Sequence, residues 1–259
     1  MIKSFYKYII WIKMGFLSQL NYRGIIIDRL LGFLFQFVLM FFFWKAVYID
    51  VSIINGRTFE EMFVYMLLSV SISALYLYPT ISFISMDVKS GNITNILLKP
   101  IDYQLQFLNK QFGIALFMFI ILAPIVTLFL IIMQTHFVGI NFAFFFVSLF
   151  GGFLFNAVFN FLLGILCFWT ENSWGIASFK IVLVEILSGT LIPLDFFPVH
   201  LQAFAIKIMP FSKIVYYPIL ILQGKLNIKE ILISYTNAAV WIILIIILSS
   251  YFYINLLKV

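Results

Sequence analysis

Lys180 and Glu185 stand in an apolar run that begins at Trp174, and they are the residues of this chain that first invite a chemical reading. At 1.5 Å per helical residue, Lys180 lies about 9 Å from Trp174 and Glu185 about 17 Å from it. Lys180 is therefore expected to snorkel to the near interface, while Glu185 falls close to mid-membrane. The two point about 140° apart on a helix and make a poor intrahelical pair. A mid-membrane carboxyl can carry ions through a charge cycle, or it can be a protonated group bonded to a neighbouring span. A second candidate set is Ser148, Gly152, Asn156, Asn160 and Gly164, spaced four residues apart. The stripe drifts about 40° per step and keeps to one side of a helix. Small residues allow close helix approach and Asn bonds across helices, so packing is preferred here over lining a cargo path.

No catalytic engine accompanies these residues. Gly224-Lys225 is followed by Leu226, so the phosphate-binding loop GxxxxGK[ST] is absent, as are HExxH, GxSxG and CxxC. His136 and His200 are read as surface histidines, and Cys167, the one cysteine, as an inert buried thiol. No enzymatic activity, bound cofactor or metal is expected of the chain itself.

The elements that position these residues are membrane spans. Hydrophobic residues make up 64% of the chain, charged residues 10%, and 33 residues are Phe. Soluble domains hold about 45–50% apolar and about 25% charged residues. The apolar runs also reach the roughly 20 residues that cross a hydrocarbon core. The net charge of +6 comes from dispersed Lys and Arg, which argues against a nucleic-acid partner. The fold expected is all-α and polytopic, with six transmembrane helices. Residues 2–20 have helical apolar spacing and predict an amphipathic helix lying on the bilayer. No small-residue cleavage site follows, so a signal peptide is not expected.

The spans are predicted at about 30–48, 62–86, 112–133, 141–169, 174–194 and 231–257. Thr58 and Glu61 read as a capping box opening the second, and Pro79 as its kink. The fourth is expected to tilt or break near Gly151 and Gly152. Residues 195–229 are cut by Pro198, Pro210 and Pro218 into short external or re-entrant pieces. With the N-terminus inside, Lys3, Lys7, Lys13, Arg23, Arg29, Lys89, Lys99, Lys110, Lys180 and Lys258 are cytoplasmic. Lys45, Arg57, Lys207, Lys213, Lys225 and Lys229 are then outside. Ten against six places both termini inside.

The loop from Asp87 to Gln111 is the most informative stretch. Residues 92–99 form a short amphipathic helix with Ile93, Ile96 and Leu97 on one edge, entered by Gly91 and stopped by Pro100. On physical grounds that edge lies on lipid headgroups or docks to a soluble partner, and both remain open.

The run Asp87-Val-Lys89-Ser-Gly91-Asn-Ile93, followed by Leu97-Leu98-Lys99-Pro100, resembles the corresponding loop of type-2 ABC exporter permeases. Leu187-Ser-Gly189-Thr-Leu-Ile-Pro193, followed by Phe197-Pro198 and Pro210-Phe211, is similar to the signature closing their fifth span. The resemblance implies a single permease domain over residues 1–259: interfacial helix 1–29, spans one to five over 30–194, external or re-entrant helices 195–229, and span six with its tail over 230–259. It implies a coupling surface, carried by Asp87, Lys89, Gly91, Ile93, Ile96, Leu97, Leu98, Lys99 and Pro100, that docks to a separate ABC ATPase subunit holding ATP and magnesium. It further implies a second permease, identical or paralogous, in the plasma membrane, with Gly152, Asn156, Asn160, Gly164, Glu185, Gly189 and Pro193 at the translocation path or a helix interface. Many relatives carry Glu-Arg where this chain has Asp87 and Lys89, which leaves open which charge meets the ATPase. The alternative is an ATPase-independent secondary transporter or channel working through Glu185.

Overall fold

The structure is a computed structural model and describes residues 2–21, 23–76, 80–98, 102–133, 139–170 and 173–256. Pro79, Lys99, Pro100, His136 and Lys258 lie outside the described residues, as do the side chains of Lys3, Arg23 and Leu97. Helices α1 (Ile2–Leu20) and α2 (Arg23–Val47) come first, then a two-stranded hairpin of β1 (Ile53–Ile54) and β2 (Arg57–Thr58). Next are α3 (Phe59–Tyr76), α4 (Ile81–Lys89), α5 (Ile93–Leu97), α6 (Tyr103–Ile132), α7 (Gly139–Ile165), α8 (Cys167–Thr170) and α9 (Ser173–Leu187). The short helices α10 (Val199–Ala203) and α11 (Tyr216–Leu222) precede the long α12 (Ile228–Leu256).

Among the described residues, five stretches are helical, long and apolar enough to cross a bilayer: 26–47, 59–89 (of which 59–76 and 80–89 are described), 103–132, 139–170 and 228–255. The protein is thus an all-α polytopic membrane protein. The stretch expected as span five is shorter than predicted. α9 ends at Leu187, and its 15 residues cover about 22 Å of a core about 30 Å thick. Residues 188–193 continue inward as non-helical chain.

Membrane-depth backbone outside a helix is tolerated only where protein satisfies its polar groups. Here α3 and α11 do so. The Tyr65 hydroxyl donates to the Gly189 carbonyl at 2.6 Å, the Ser69 hydroxyl to the Thr190 carbonyl at 3.2 Å, and the Tyr216 amide to the Ser188 carbonyl at 3.1 Å. Gly189, at φ +80°, makes the turn that an L side chain would strain. The hydroxyls of α3 are therefore the partners of a broken span.

Other boundaries shift for identifiable reasons. α6 begins at Tyr103 rather than Phe112, because Asp102 caps it by accepting the Gln104 and Leu105 amides at 2.9 and 3.3 Å. Its polar first turns are covered by neighbours, as in the 3.1 Å bond from Gln104 Nε2 to Ser249 Oγ. α7 runs unbroken through Gly151 and Gly152 and stops instead at Ile165. Gly152 is a contact: a Cβ there would sit 2.9 Å from the Lys213 carbonyl oxygen.

Nor does α1 merely lie on the membrane. A Cβ on Gly15 would run into the Lys110 carbonyl of α6, and one on Gly113 into the Ile12 carbonyl of α1. The two backbones are in direct contact. Phe16 packs edge-on to Phe117 at 5.3 Å, while Tyr6, Ile9, Ile10 and Leu17 stay exposed along the free face of α1.

The bundle has two distinct ends. The β-hairpin, residues 194–225 and the start of α12 share one, tied by Arg57 to Asp195 and Lys225 to Glu61. At the other, α4, α5 and the start of α6 meet the end of α12, where the rings of Tyr103 and Tyr253 are 6.3 Å apart.

Candidate coupling and translocation site

The second end carries the residues assigned to coupling. Gly91 takes φ +69°, which lets the chain reverse between α4 and α5. Asp87 is held within the chain: it accepts from Asn92 Nδ2 at 3.2 Å and from the Tyr103 hydroxyl at 3.3 Å. It fastens α5 to α6. Lys89 is exposed, so of the two loop charges it is the one presented outward.

The apolar edge of α5 differs from the expectation in where it points. Ile96 is 7% exposed and packs in a cluster with Ile84, Tyr103, Phe107, Phe161 and Ile165, and Ile93 is half-buried against it. Ile96 and Ile93 are thus packed against the chain's own α4, α6 and α7. Leu98, 83% exposed, and Met86 are the apolar side chains that remain free here, beside exposed Asn92, Thr94 and Asn95.

The stripe on α7 faces inward along its whole length. Ser148, Gly152, Asn156, Asn160 and Gly164 are buried. Asn156 Nδ2 donates to the Tyr76 carbonyl at 3.1 Å, where α3 stops, and Asn160 Nδ2 donates to Gln111 Oε1 at 3.4 Å. A Cβ at Gly164 would meet the Ile84 side chain. These contacts use the stripe to join α7 to α3, α4 and α6.

On α9, Lys180 is 2% exposed, so it does not snorkel to the interface as expected. Packing of α9 against α4 and α7 encloses it. Glu185 is half-buried on the same helix. Gly189 and Pro193 belong to the broken stretch beneath the first end, where Pro193 leads into a single 3₁₀ turn, Leu194–Phe196. The assigned residues therefore fall at separate levels of the bundle and form no single constellation.

The first end holds polar groups that sequence reasoning missed. Arg57, 3% exposed, donates through Nε to Asp195 Oδ2 at 2.8 Å, with Nη2 also 2.8 Å from that oxygen. Its Nη1 reaches Gln223 Oε1 at 3.4 Å, and its guanidinium lies 5.4 Å from the centre of the Tyr65 ring. Burial pushes the Tyr48 hydroxyl up, partly opposed by Arg57. Lys213 is also buried, and burial pulls its ammonium down to about 8. The Asn55-Gly56 pair, both at positive φ, was the available signal for the hairpin that delivers Arg57. No local pattern marks Asp195 as its partner.

Among the described residues no group of three His, Cys, Asp or Glu could hold a metal. Comparison with curated proteins and with solved structures returns no match. A family model described as ABC-2 family transporter protein matches residues 33–258, which takes in most of the first crossing stretch, all of the other four, the α4–α5 loop and the broken stretch after α9; the chain belongs to the ABC-2 family of transporter proteins.

Proposed function

We propose that this chain is the transmembrane subunit of an ATP-driven exporter. A separate ABC ATPase binds ATP and magnesium and seats on the α4–α5 end. A second permease, identical or paralogous, completes the path, and cargo leaves outward between the two. Both termini are cytoplasmic in this reading, and the membrane is the plasma membrane. Family membership supports the permease role, since ABC-2 permeases generally work with an ATPase partner.

The observation that carries the reading is the seating of α5. Its inner edge is locked through Ile96 to Ile84 of α4, Tyr103 and Phe107 of α6, and Phe161 and Ile165 of α7. Its outer surface offers Lys89, Asn92, Asn95 and Leu98. A force applied to that surface passes into three crossing helices through packed side chains, which deform little. ATPase closure would thereby tilt them. Asp87, tied to Tyr103, keeps α5 and α6 moving together.

The test separates the two edges. Leu98→Glu places a charge on an exposed position and should leave folding intact. At a dry contact with a partner it would lose water without compensation and weaken the contact by several kcal/mol, on the order of 2–7 kcal/mol. ATPase chains should then fail to co-purify with an otherwise normal permease. Ile96→Glu should instead reduce the amount of folded permease itself. Unchanged co-purification and unchanged ATP-dependent export in Leu98→Glu would reject the coupling assignment.

A further inference from the structure

A cavity of about 490 Å³ lies between the 206–220 segment and the first three turns of α12, at the end of the bundle that carries the hairpin. It is separate from the α5 surface and from the α7 stripe. Its walls have an unusual balance of hydrogen-bonding capacity. Lys213 donates to the Ile206 carbonyl at 2.6 Å, the Met209 carbonyl at 3.3 Å and Ser212 Oγ at 3.1 Å, so its three protons are spent. Asn237 donates one Nδ2 hydrogen to the Lys207 carbonyl at 3.3 Å, while its Oδ1 is buried with no donor among the described residues. Ser234, 1% exposed, has a hydroxyl with no partner among the described residues. Glu230 uses Oε2 to cap its own helix, accepting the Asn227 amide at 2.9 Å. Asn237 Oδ1 thus remains an acceptor without a donor, the Ser234 hydroxyl is free to donate or accept, and the cavity's own cation has no proton left for either. A buried acceptor without a donor is costly, so an occupant that brings an N–H to Asn237 Oδ1 is favoured.

The surroundings narrow the class of occupant. Lys207 is exposed at the rim. Ile208, and Ile228, Leu232 and Ile233 of α12, the helix that enters the bilayer, are exposed apolar side chains around it. We propose that this cavity binds the headgroup of a phospholipid bearing a primary ammonium. The ammonium supplies N–H donors to Asn237 Oδ1, Glu230 and Ser234, the phosphate meets the charge of Lys207, and the acyl chains run along Leu232 and Ile233. A choline headgroup has no N–H to give. An anionic glycerol headgroup can donate O–H but brings no cation, so its phosphate charge would face the Glu230 carboxylate uncompensated. The proposal rests on the membrane placement of the chain and is independent of ATP coupling.

The test uses the full chain solubilised from vesicles of equal parts dioleoyl phosphatidylethanolamine, phosphatidylcholine and phosphatidylglycerol, with bound lipid counted by native mass spectrometry. The ethanolamine lipid should be retained about tenfold over the choline lipid, a difference of about 1.4 kcal/mol. Asn237→Leu, which removes the buried acceptor, should abolish that preference. Lys207→Gln, at an exposed position that cannot unfold the protein, should lower retention of the ethanolamine lipid severalfold. Three outcomes would overturn the proposal: equal retention of all three lipids, a dry or water-filled cavity with no lipid retained, and a preference that survives Lys207→Gln undiminished. So would a second copy covering the cavity, seen as crosslinks between chains from Ile233→Cys, an exposed lining position, in a Cys167→Ser background.

Discussion

Arg57 and Asp195 are 138 residues apart in sequence and form the most buried ion pair among the described residues, with side chains 4% and 23% exposed. Removing one partner of such a pair leaves a charge without its counter-ion, which costs about 3–5 kcal/mol. Arg57→Ala should therefore lower the thermal unfolding midpoint of the purified protein substantially, and adding Asp195→Ala should recover part of the loss. A double variant as unstable as the sum of its singles would show that the pair is not coupled. Glu61 and Lys225, 3.1 Å apart, are 43% and 32% exposed, and Lys225→Gln should change stability by no more than about 1 kcal/mol. Glu61 was expected to close a capping box with Thr58. Only half of that box forms, the Glu61 amide donating to Thr58 Oγ1 at 3.3 Å, because the carboxylate is drawn to Lys225. The complete box is at Asn227 and Glu230, which bond each other's backbone amides at 2.9 Å. It follows the same local rule, but the sequence reading did not find it.

At the scale of elements, glycine decides how close helices come. Gly113→Ala would push a methyl into the Ile12 carbonyl, and backbone cannot yield as a side chain tip can. It should cost about 1–3 kcal/mol and loosen α1 from α6, read as faster proteolysis of the N-terminal helix in detergent. Gly164→Ala meets the Ile84 side chain, Cδ1 first with Cγ1 and Cβ behind it, rather than backbone, and should be milder. Equal protease resistance in Gly113→Ala and wild type would rule out backbone contact between the two helices. Spacing alone marked Gly152 and Gly164 as small-residue contacts, whereas Gly15 and Gly113 carried no comparable pattern. The span-five error has a similar origin. Hydropathy continues through residues 188–194, so the run reads as one helix. Gly189 and the hydroxyls of α3 end it at Leu187, and those hydroxyls lie more than a hundred residues away.

At the scale of the whole molecule, the two ends make a topology prediction. In a Cys167→Ser background, Lys225→Cys should react with an impermeant thiol reagent added to intact cells, and Leu98→Cys should react only after lysis. The reverse pattern would invert the orientation and with it the coupling scheme. By itself the sequence determined the medium, the secondary-structure class and most crossing helices, because apolar composition and helical periodicity act over one span and need no distant partner. It also marked the loop at Gly91 through a local motif. Tertiary structure decided which face of α5 is covered, that Lys180 is enclosed, that Arg57 finds Asp195, and that Ser234 and Asn237 line one cavity. Each of these depends on groups that meet only when helices far apart in sequence pack together, and the cost of leaving a polar or charged group unpaired in a low-dielectric interior then selects the partner.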